Sequence, residues 1–407
     1  MDLAASMTAD VRALAGAPAV ARAAFEAMAR HWGQGELEVV LPAGRRLLMA
    51  GPKPGPKAVL EVKDYRFMRR VIGSGAIGFA EGFMAGEWDT PDLPQLIEVF
   101  GLNIDRLNRV VGGQAWMRAV NNFLQTFRRN TRRGSRHNIH AHYDLGNAFY
   151  AQWLDPSMTY SSALFASPNQ PLAEAQAAKY AALAGGIGLQ AGHSVLEIGC
   201  GWGGFAEFAA AKIGAKVTGV TISKAQYDFA RKRLFDQGLA ERADIRLIDY
   251  RDVQGRYDRI ASIEMFEAVG QEYWPTYFGK VRELLAAGGR AGLQIITIQD
   301  NLFEDYARAT DFIQKYIFPG GMLPSEARLR QEVSTAGLNW QAVTRFGQDY
   351  ARTLNQWAHT FQGAWKSIEP LGFDERFRRL WLFYLAYCEA GFRTGRTDVI
   401  QLGLAKG

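Results

Sequence analysis

The run VLEIGCGWGG, Val195 to Gly204, joins an apolar stretch to a glycine-rich turn and then to FAEFAAAK, a helix-forming segment. Glycines at Gly199, Gly201 and Gly203 let backbone approach a ligand closely at the end of a strand, where nucleotide-like molecules bind in α/β folds. Glu197 stands two residues before the first of them. About 20 residues further on, where a dinucleotide enzyme offers Asp or Glu to the ribose, VTGVTISKAQ offers Thr221 and Gln226 instead. IRLIDYRD then places Asp249 and Tyr250 at the end of a third apolar run. A carboxylate there can accept from an adenine amino group, and an aromatic ring can stack on the base. Further along, Glu267 follows the apolar run YDRIASIEM. A carboxylate in such a place is costly unless it is satisfied or has chemical work.

These side chains need a scaffold, and its pattern is legible. From Ala191 the runs SVLEIGC, AKVTGVTI, ADIRLID, YDRIASIEM and RAGLQIITI alternate with helical stretches. That alternation predicts a doubly wound parallel sheet of the Rossmann-like α/β class. After Asp300 the pattern turns mainly helical and aromatic-rich up to Phe392, so helical C-terminal additions are expected. Ahead of this domain, residues 8–32 have helical spacing, 37–62 read as short antiparallel strands, and 67–100 are helical again. The expected organisation is an N-terminal α+β domain over 1–111, a basic linker over 112–137 carrying Arg128, Arg129, Arg132, Arg133 and Arg136, and a catalytic domain over 138–407.

Composition narrows the partners. With 47 Lys and Arg against 41 Asp and Glu, the net charge is +6, which suits an anionic surface. No aromatic-interleaved motif accompanies the charge, so nucleic acid is not expected. Cys200 and Cys388 lack the spacing of a metal site or redox pair, and no metal is expected. No stretch reaches the ~20 apolar residues needed to cross a bilayer. A cytoplasmic enzyme, peripheral at the inner membrane face, is the expectation, with a homodimer left open.

Six segments occur in an order and spacing that resemble the cyclopropane-fatty-acyl-phospholipid synthase family, which includes the mycolic acid cyclopropane synthases. They are HYDLGNAFYAQWLDPSMTYSSALF (142–165), VLEIGCGWGG, GVTISKAQ, SIEMFEAVG (262–270), KYIFPGGMLPS (315–325) and FGQDYARTL (346–354). The resemblance is dense from about Asn138 onward and weaker over the N-terminal domain, where AEGFMAGEWDTPDL (80–93) is similar. It implies S-adenosylmethionine as co-substrate, and the position of Glu197 favours that reading over an NAD site. It implies methyl transfer to the double bond of an unsaturated phospholipid acyl chain, closing to a cyclopropane. Tyr160 and Ser161 resemble the pair that closes over the cofactor. Glu267 and Tyr350 match residues that hold a bound bicarbonate, the base for ring closure. Tyr316, Phe318, Trp357 and Tyr384 offer aromatic faces to a cation, and Cys388 matches a second cysteine near the family's pocket.

Two positions depart from the family pattern. Ser162 replaces a cysteine beside the bicarbonate, and Gln294 stands where the family has a histidine. Glutamine can donate a hydrogen bond but cannot titrate, so a weakened proton relay is expected. Alternatives are therefore a methyl-branched or methylene product, or a protein that binds lipid and cofactor without turnover.

Overall fold

The computed structural model describes residues 11–110 and 145–406. The basic linker at 112–137 and His142 lie outside the described residues. The chain divides into two compact units, 1–123 with 372–394, and 124–371 with 395–407.

In the first unit, Pro18 and its neighbours break the helix expected over 8–32, leaving a short turn at Val11–Leu14 and α1 at Ala19–His31. Three strands follow, β1 (Gln34–Val40), β2 (Arg46–Ala50) and β3 (Lys53–Val62). The alternation of ELEVV buries Leu37 and Val39 on one face. β1 pairs antiparallel with β2 but parallel with β3, so the set is mixed and not wholly antiparallel as expected. α2 (Arg66–Met84), β4 (Trp88–Asp89) and α3 (Leu93–Val110) complete the N-terminal part.

The second unit is built on a seven-stranded sheet of order β10-β11-β9-β8-β5-β6-β7. In chain order its elements are α4 (Leu172–Gly186), β5 (Ser194–Ile198), α5 (Gly204–Phe208), β6 (Lys216–Thr221), α6 (Lys224–Asp236), β7 (Ala243–Leu247), β8 (Tyr257–Ile263), α7 (Trp274–Leu284), β9 (Leu285–Ile298), α8 (Glu326–Thr335), β10 (Leu338–Arg345), α9 (Gly347–Gly363) and β11 (Thr397–Lys406). Strands β5 to β9 are parallel, as expected. β5 is flanked by β6 on one side and β8 on the other, which puts its C-terminal end at the topological switch point, where such sheets bind ligands. β10 and β11 enlarge the sheet beyond the expected helical region, and β11 runs antiparallel to both neighbours.

The helix α10 (Glu375–Arg393) groups with the first unit rather than with the sheet that follows it in sequence. Its Arg379 donates to the Phe83 carbonyl at 2.5 Å and stacks over the Phe83 ring, and Phe383 meets that ring at 5.9 Å. The boundary drawn at 138 from sequence therefore does not describe this helix. Tyr384 and Cys388 ride on this helix.

Candidate active site at the ends of β5, β8 and β9

The glycine turn leaves β5 with Gly201 and Gly203 at φ 51° and 83°, the left-handed region that side chains resist. A Cβ on Gly203 would stand 3.0 Å from that of Ala230 on α6, whereas one on Gly201 would meet nothing within 4 Å. The turn thus packs against α6 on one side and opens on the other. Asn147 braces it, accepting from the Trp202 indole at 2.8 Å and donating to Ala225 at 3.3 Å. Sequence reading had not singled out Asn147.

Glu197 is buried under the turn. Its carboxyl takes the Ala206 N–H, yet Oε2 is buried without a hydrogen-bond partner. Burial drives its pKa well up, against the pull of Lys179. An orphaned acceptor under an open glycine cradle fits a ligand that brings its own donors, as the ammonium of S-adenosylmethionine does.

The next two pairs differ from expectation in detail. Thr221 donates its hydroxyl to Gln226 Oε1 at 2.9 Å, so it orients Gln226 and does not itself face a ribose with that proton. Asp249 accepts from Arg251 through the backbone N–H at 3.0 Å, Nε at 2.9 Å and Nη2 at 2.6 Å. Tyr250 is half-buried beside Tyr277 at 5.5 Å, and burial pushes its phenol up to about 12.

At the end of β8 the structure places a group the sequence reading passed over. Glu264 has φ 49°, a backbone conformation that is costly for a residue with a Cβ, about 1–3 kcal/mol. Its Oε1 accepts the Ser162 N–H at 2.9 Å and the Gln294 amide at 2.8 Å, and its Oε2 accepts the Tyr350 hydroxyl at 2.5 Å. Gln294, in register opposite Gln401 on β11, is held by that residue's amide at 3.1 Å and returns its backbone oxygen to the Glu264 N–H at 2.8 Å. Ser162, Gln294 and Tyr350 are three of the four groups expected around bicarbonate, and here they converge on a carboxylate of the chain itself. The signal was present in SIEMFEAVG, whose two glutamates lie three residues apart.

Glu267, the fourth, sits one turn on. Its Oε1 takes the Ile296 N–H at 2.5 Å, and Oε2 is buried without a partner. Burial first, then the neighbouring Glu264 charge, push its pKa up to about 8. Glu264 is also raised by burial, but Tyr350, Lys179, Ser162 and Gln294 all oppose that rise. The opposing hydrogen bonds and charge fall on Glu264, and its charge in turn raises Glu267, so within the pair Glu264 is the first to ionise and Glu267 the one that keeps its proton longer.

A stability test follows from Glu267. Between its ordinary value of 4.5 and about 8 the folded state holds a proton that the unfolded chain has released. Stability is then fully present below that window, falls as pH rises through it, and levels off above it. Glu267→Gln keeps the acceptor for Ile296 and removes the titration. Melting curves from pH 5 to 9 should show the variant gaining on the parent by on the order of a few kcal/mol at the alkaline end.

The Tyr160–Phe165 segment is tied down at three points, one on α4 and two on α9. The Gln176 amide donates to Ser161 O at 2.9 Å, Ala163 N–H to Thr353 at 3.2 Å, and Phe165 N–H to Asp349 at 3.0 Å. Tyr160 lies within an aromatic cluster, 5.3 Å from Trp357, 5.7 Å from Trp153 and 5.4 Å from Tyr150 between ring centres. Trp357 also meets Tyr350 edge-on at 6.2 Å, which brings an aromatic wall to the Glu264 cluster. Tyr316 and Phe318 precede the turn whose Met322 N–H bonds to Glu267 O at 2.8 Å. Of the four proposed aromatic faces, Trp357 meets a Glu264 ligand, Tyr350, directly.

The sequence profile of the mycolic acid cyclopropane synthetase family matches residues 130–402. The chain belongs to this family. Tuberculostearic acid methyltransferase UfaA1 of Mycobacterium tuberculosis is 41% identical over 347 residues, 83% of this chain and 81% of that protein. The cyclopropane-fatty-acyl-phospholipid synthase of Escherichia coli K12 is 33% identical over 359 residues, 86% of this chain and 88% of that one. Among solved structures, mycolic acid cyclopropane synthase CmaA1 complexed with SAH and CTAB superposes with TM-score 0.63 at 33% identity, covering 67% of this chain and 98% of its own. The family assignment makes this an S-adenosylmethionine-dependent methyltransferase fold with S-adenosylmethionine as its cofactor and unsaturated lipid chains as its substrate class. No helix among the described residues is long and apolar enough to cross a membrane.

Proposed function

We propose that this protein transfers the methyl carbon of S-adenosylmethionine to the double bond of an unsaturated phospholipid acyl chain, with Glu264 as the base that completes the reaction. The observation that carries the reading is the convergence of Ser162 N–H, Gln294 and Tyr350 on the Glu264 carboxylate. In this reading Glu264 stands in for bicarbonate.

The residues divide the work as follows. Glu197, Gly199, Gly201, Gly203, Thr221, Gln226, Asp249 and Tyr250 hold the cofactor, with Tyr160 and Ser161 closing over it. When bound, it supplies an electrophilic methyl on sulfur. The fold's contribution to that transfer is alignment in a dry site, since an alkene is a weak nucleophile. Bonding of the methyl to one alkene carbon leaves its neighbour cationic, and Trp357 and Tyr160 present π faces to such a charge. Loss of a proton from the added methyl to Glu264 then ends the reaction. If the C–H pair closes onto the cationic carbon, the product is a cyclopropane. If a hydride first shifts from the methylated carbon to the cationic one, the same pair forms a C=CH2 methylene branch on the open chain.

The second outcome is favoured. A carboxylate whose oxygens already accept three hydrogen bonds is a weaker, slower base, so the first-formed cation has time to rearrange to the more substituted carbon. The similarity to a methyltransferase named for tuberculostearic acid points the same way. A saturated methyl branch would require a separate reductant after this step.

Incubation with methyl-labelled cofactor and unsaturated liposomes, read by mass spectrometry, checks the assignment. A gain of one CH2 is expected, with fragmentation and hydrogenation distinguishing methylene from ring. Incorporation confined to zwitterionic vesicles, or indifferent to salt, would remove the anionic peripheral docking expected from the charge. No incorporation into any unsaturated lipid would sink the function.

A further inference from the structure

Lys179, on α4, is fully buried, which is rare for lysine unless it is paired. Its Nζ donates to Ser161 Oγ at 2.6 Å and lies 4.5 Å from the centre of the Tyr180 ring. Three carboxylates from three different segments act on it: the half-buried Glu264 at the end of β8, and the buried Asp155 before the Tyr160 turn and Glu197 at the end of β5. Its backbone oxygen takes the Gln401 amide at 3.0 Å, the same side chain that grips Gln294. The lysine is thus locked at its backbone to the strand that orients one ligand of Glu264. At its tip it is locked to the segment that supplies another, Ser162.

We propose that Lys179 is the positioning residue that keeps Glu264 in its anionic form, as the counter-charge shared between the base and the cofactor cradle. The inference rests on the reading of Glu264 as the base. Its logic is that of two buried carboxylates near one site, which cannot both stay ionised without a cation. The charged and titratable groups acting on Glu264 are Lys179 from α4, Tyr350 from α9 and Glu267 from the turn after β8. Those acting on Glu197 are Lys179 and Arg233 of α6. Lys179 is the cation acting on both. Burial pulls its own pKa down to about 7, and the charges of Glu264, Asp155 and Glu197 oppose that fall. Lys179 touches neither methyl donor nor alkene in this scheme. It acts through Glu264.

The test uses full-length protein with three replacements, Lys179→Gln, Lys179→Met and Lys179→Arg. Glutamine keeps a donor for Ser161 without the charge; methionine removes both; arginine keeps the charge. Difference infrared titration, with the Glu264 carboxyl band assigned by its disappearance in Glu264→Gln, reads the protonation of Glu264 independently of turnover. In the Gln and Met variants Glu264 should protonate about one pH unit or more higher than in the parent. The acid limb of kcat on unsaturated liposomes should move by the same interval, giving roughly tenfold less turnover at pH values below both midpoints and parental turnover above them. The arginine variant should keep the parental midpoint. An unchanged Glu264 midpoint in the Gln and Met variants, or a rate loss equal at every pH, would overturn the proposal, as would unfolding of both neutral variants while the arginine variant folds. A shifted infrared midpoint without any change in the rate profile would uphold the role of Lys179 and remove Glu264 as the base.

Discussion

Replacing Glu264 with Gln is expected to lower product formation by about 10²–10⁴-fold, the usual worth of a positioned general base, with binding of S-adenosylhomocysteine preserved within a few-fold. The amide is isosteric, so the Ser162 N–H at 2.9 Å keeps an oxygen acceptor while the proton acceptor for the methyl group is lost. The cofactor cradle proposed above follows β5, whereas Glu264 follows β8, so the two measurements separate. Calorimetric titration with the homocysteine product and mass spectrometry of labelled lipid give both numbers from one preparation. Turnover within threefold of the parent would exclude Glu264 as the base.

Replacing the same residue with Gly is expected to give an enzyme dependent on added bicarbonate. Position 264 has φ 49°, which glycine adopts freely, so the backbone strain disappears with the side chain. The vacated space is lined by the Ser162 N–H, the Gln294 amide and the Tyr350 hydroxyl, three donors set for one carboxylate-sized anion. Unpaired buried donors are costly, and a small anion relieves them. Activity of the glycine variant should therefore rise from near background by tenfold or more as bicarbonate, formate or acetate is titrated in, while the parent responds to none of them. Absence of rescue by all three would show that the donors do not form an anion site once Glu264 is gone.

Much of this site could be read from the residue string, and the failures have physical causes. The β5 turn was legible because positive-φ glycines after an apolar strand leave few alternatives. Asp249 and Thr221 were placed correctly at strand ends, but their hydrogen-bond partners, Arg251 and Gln226, lie only two and five residues away and were not weighed. Glu264 was missed because motif matching drew attention to Glu267 in the same segment. A buried carboxylate announces itself only through partners 86 and 102 residues distant in sequence. Lys179 was invisible for the same reason: in a helix segment reading LAEAQAAKYAALAGG, a lone lysine passes for a solvated face. β10 was obscured because its residues Asn339 to Arg345 are exposed or half-buried at the sheet edge, without a clean alternation. The helix α10 showed its aromatic face plainly, but a sequence cannot say which of two cores that face will join.

That helix has a consequence for biosynthesis. The chain leaves the sheet unit at residue 371, contributes α10 to the earlier unit, and returns at 395 to lay β11 between β9 and β10. Neither unit is complete until both passages have been made, and β11 carries Gln401, which steadies Gln294 and Lys179. A ribosome-bound chain that has already emerged past α9 therefore still lacks the strand that organises its carboxylate cluster. A chain that stops before β11 lacks the Gln401 amide that holds both Gln294 and the Lys179 carbonyl.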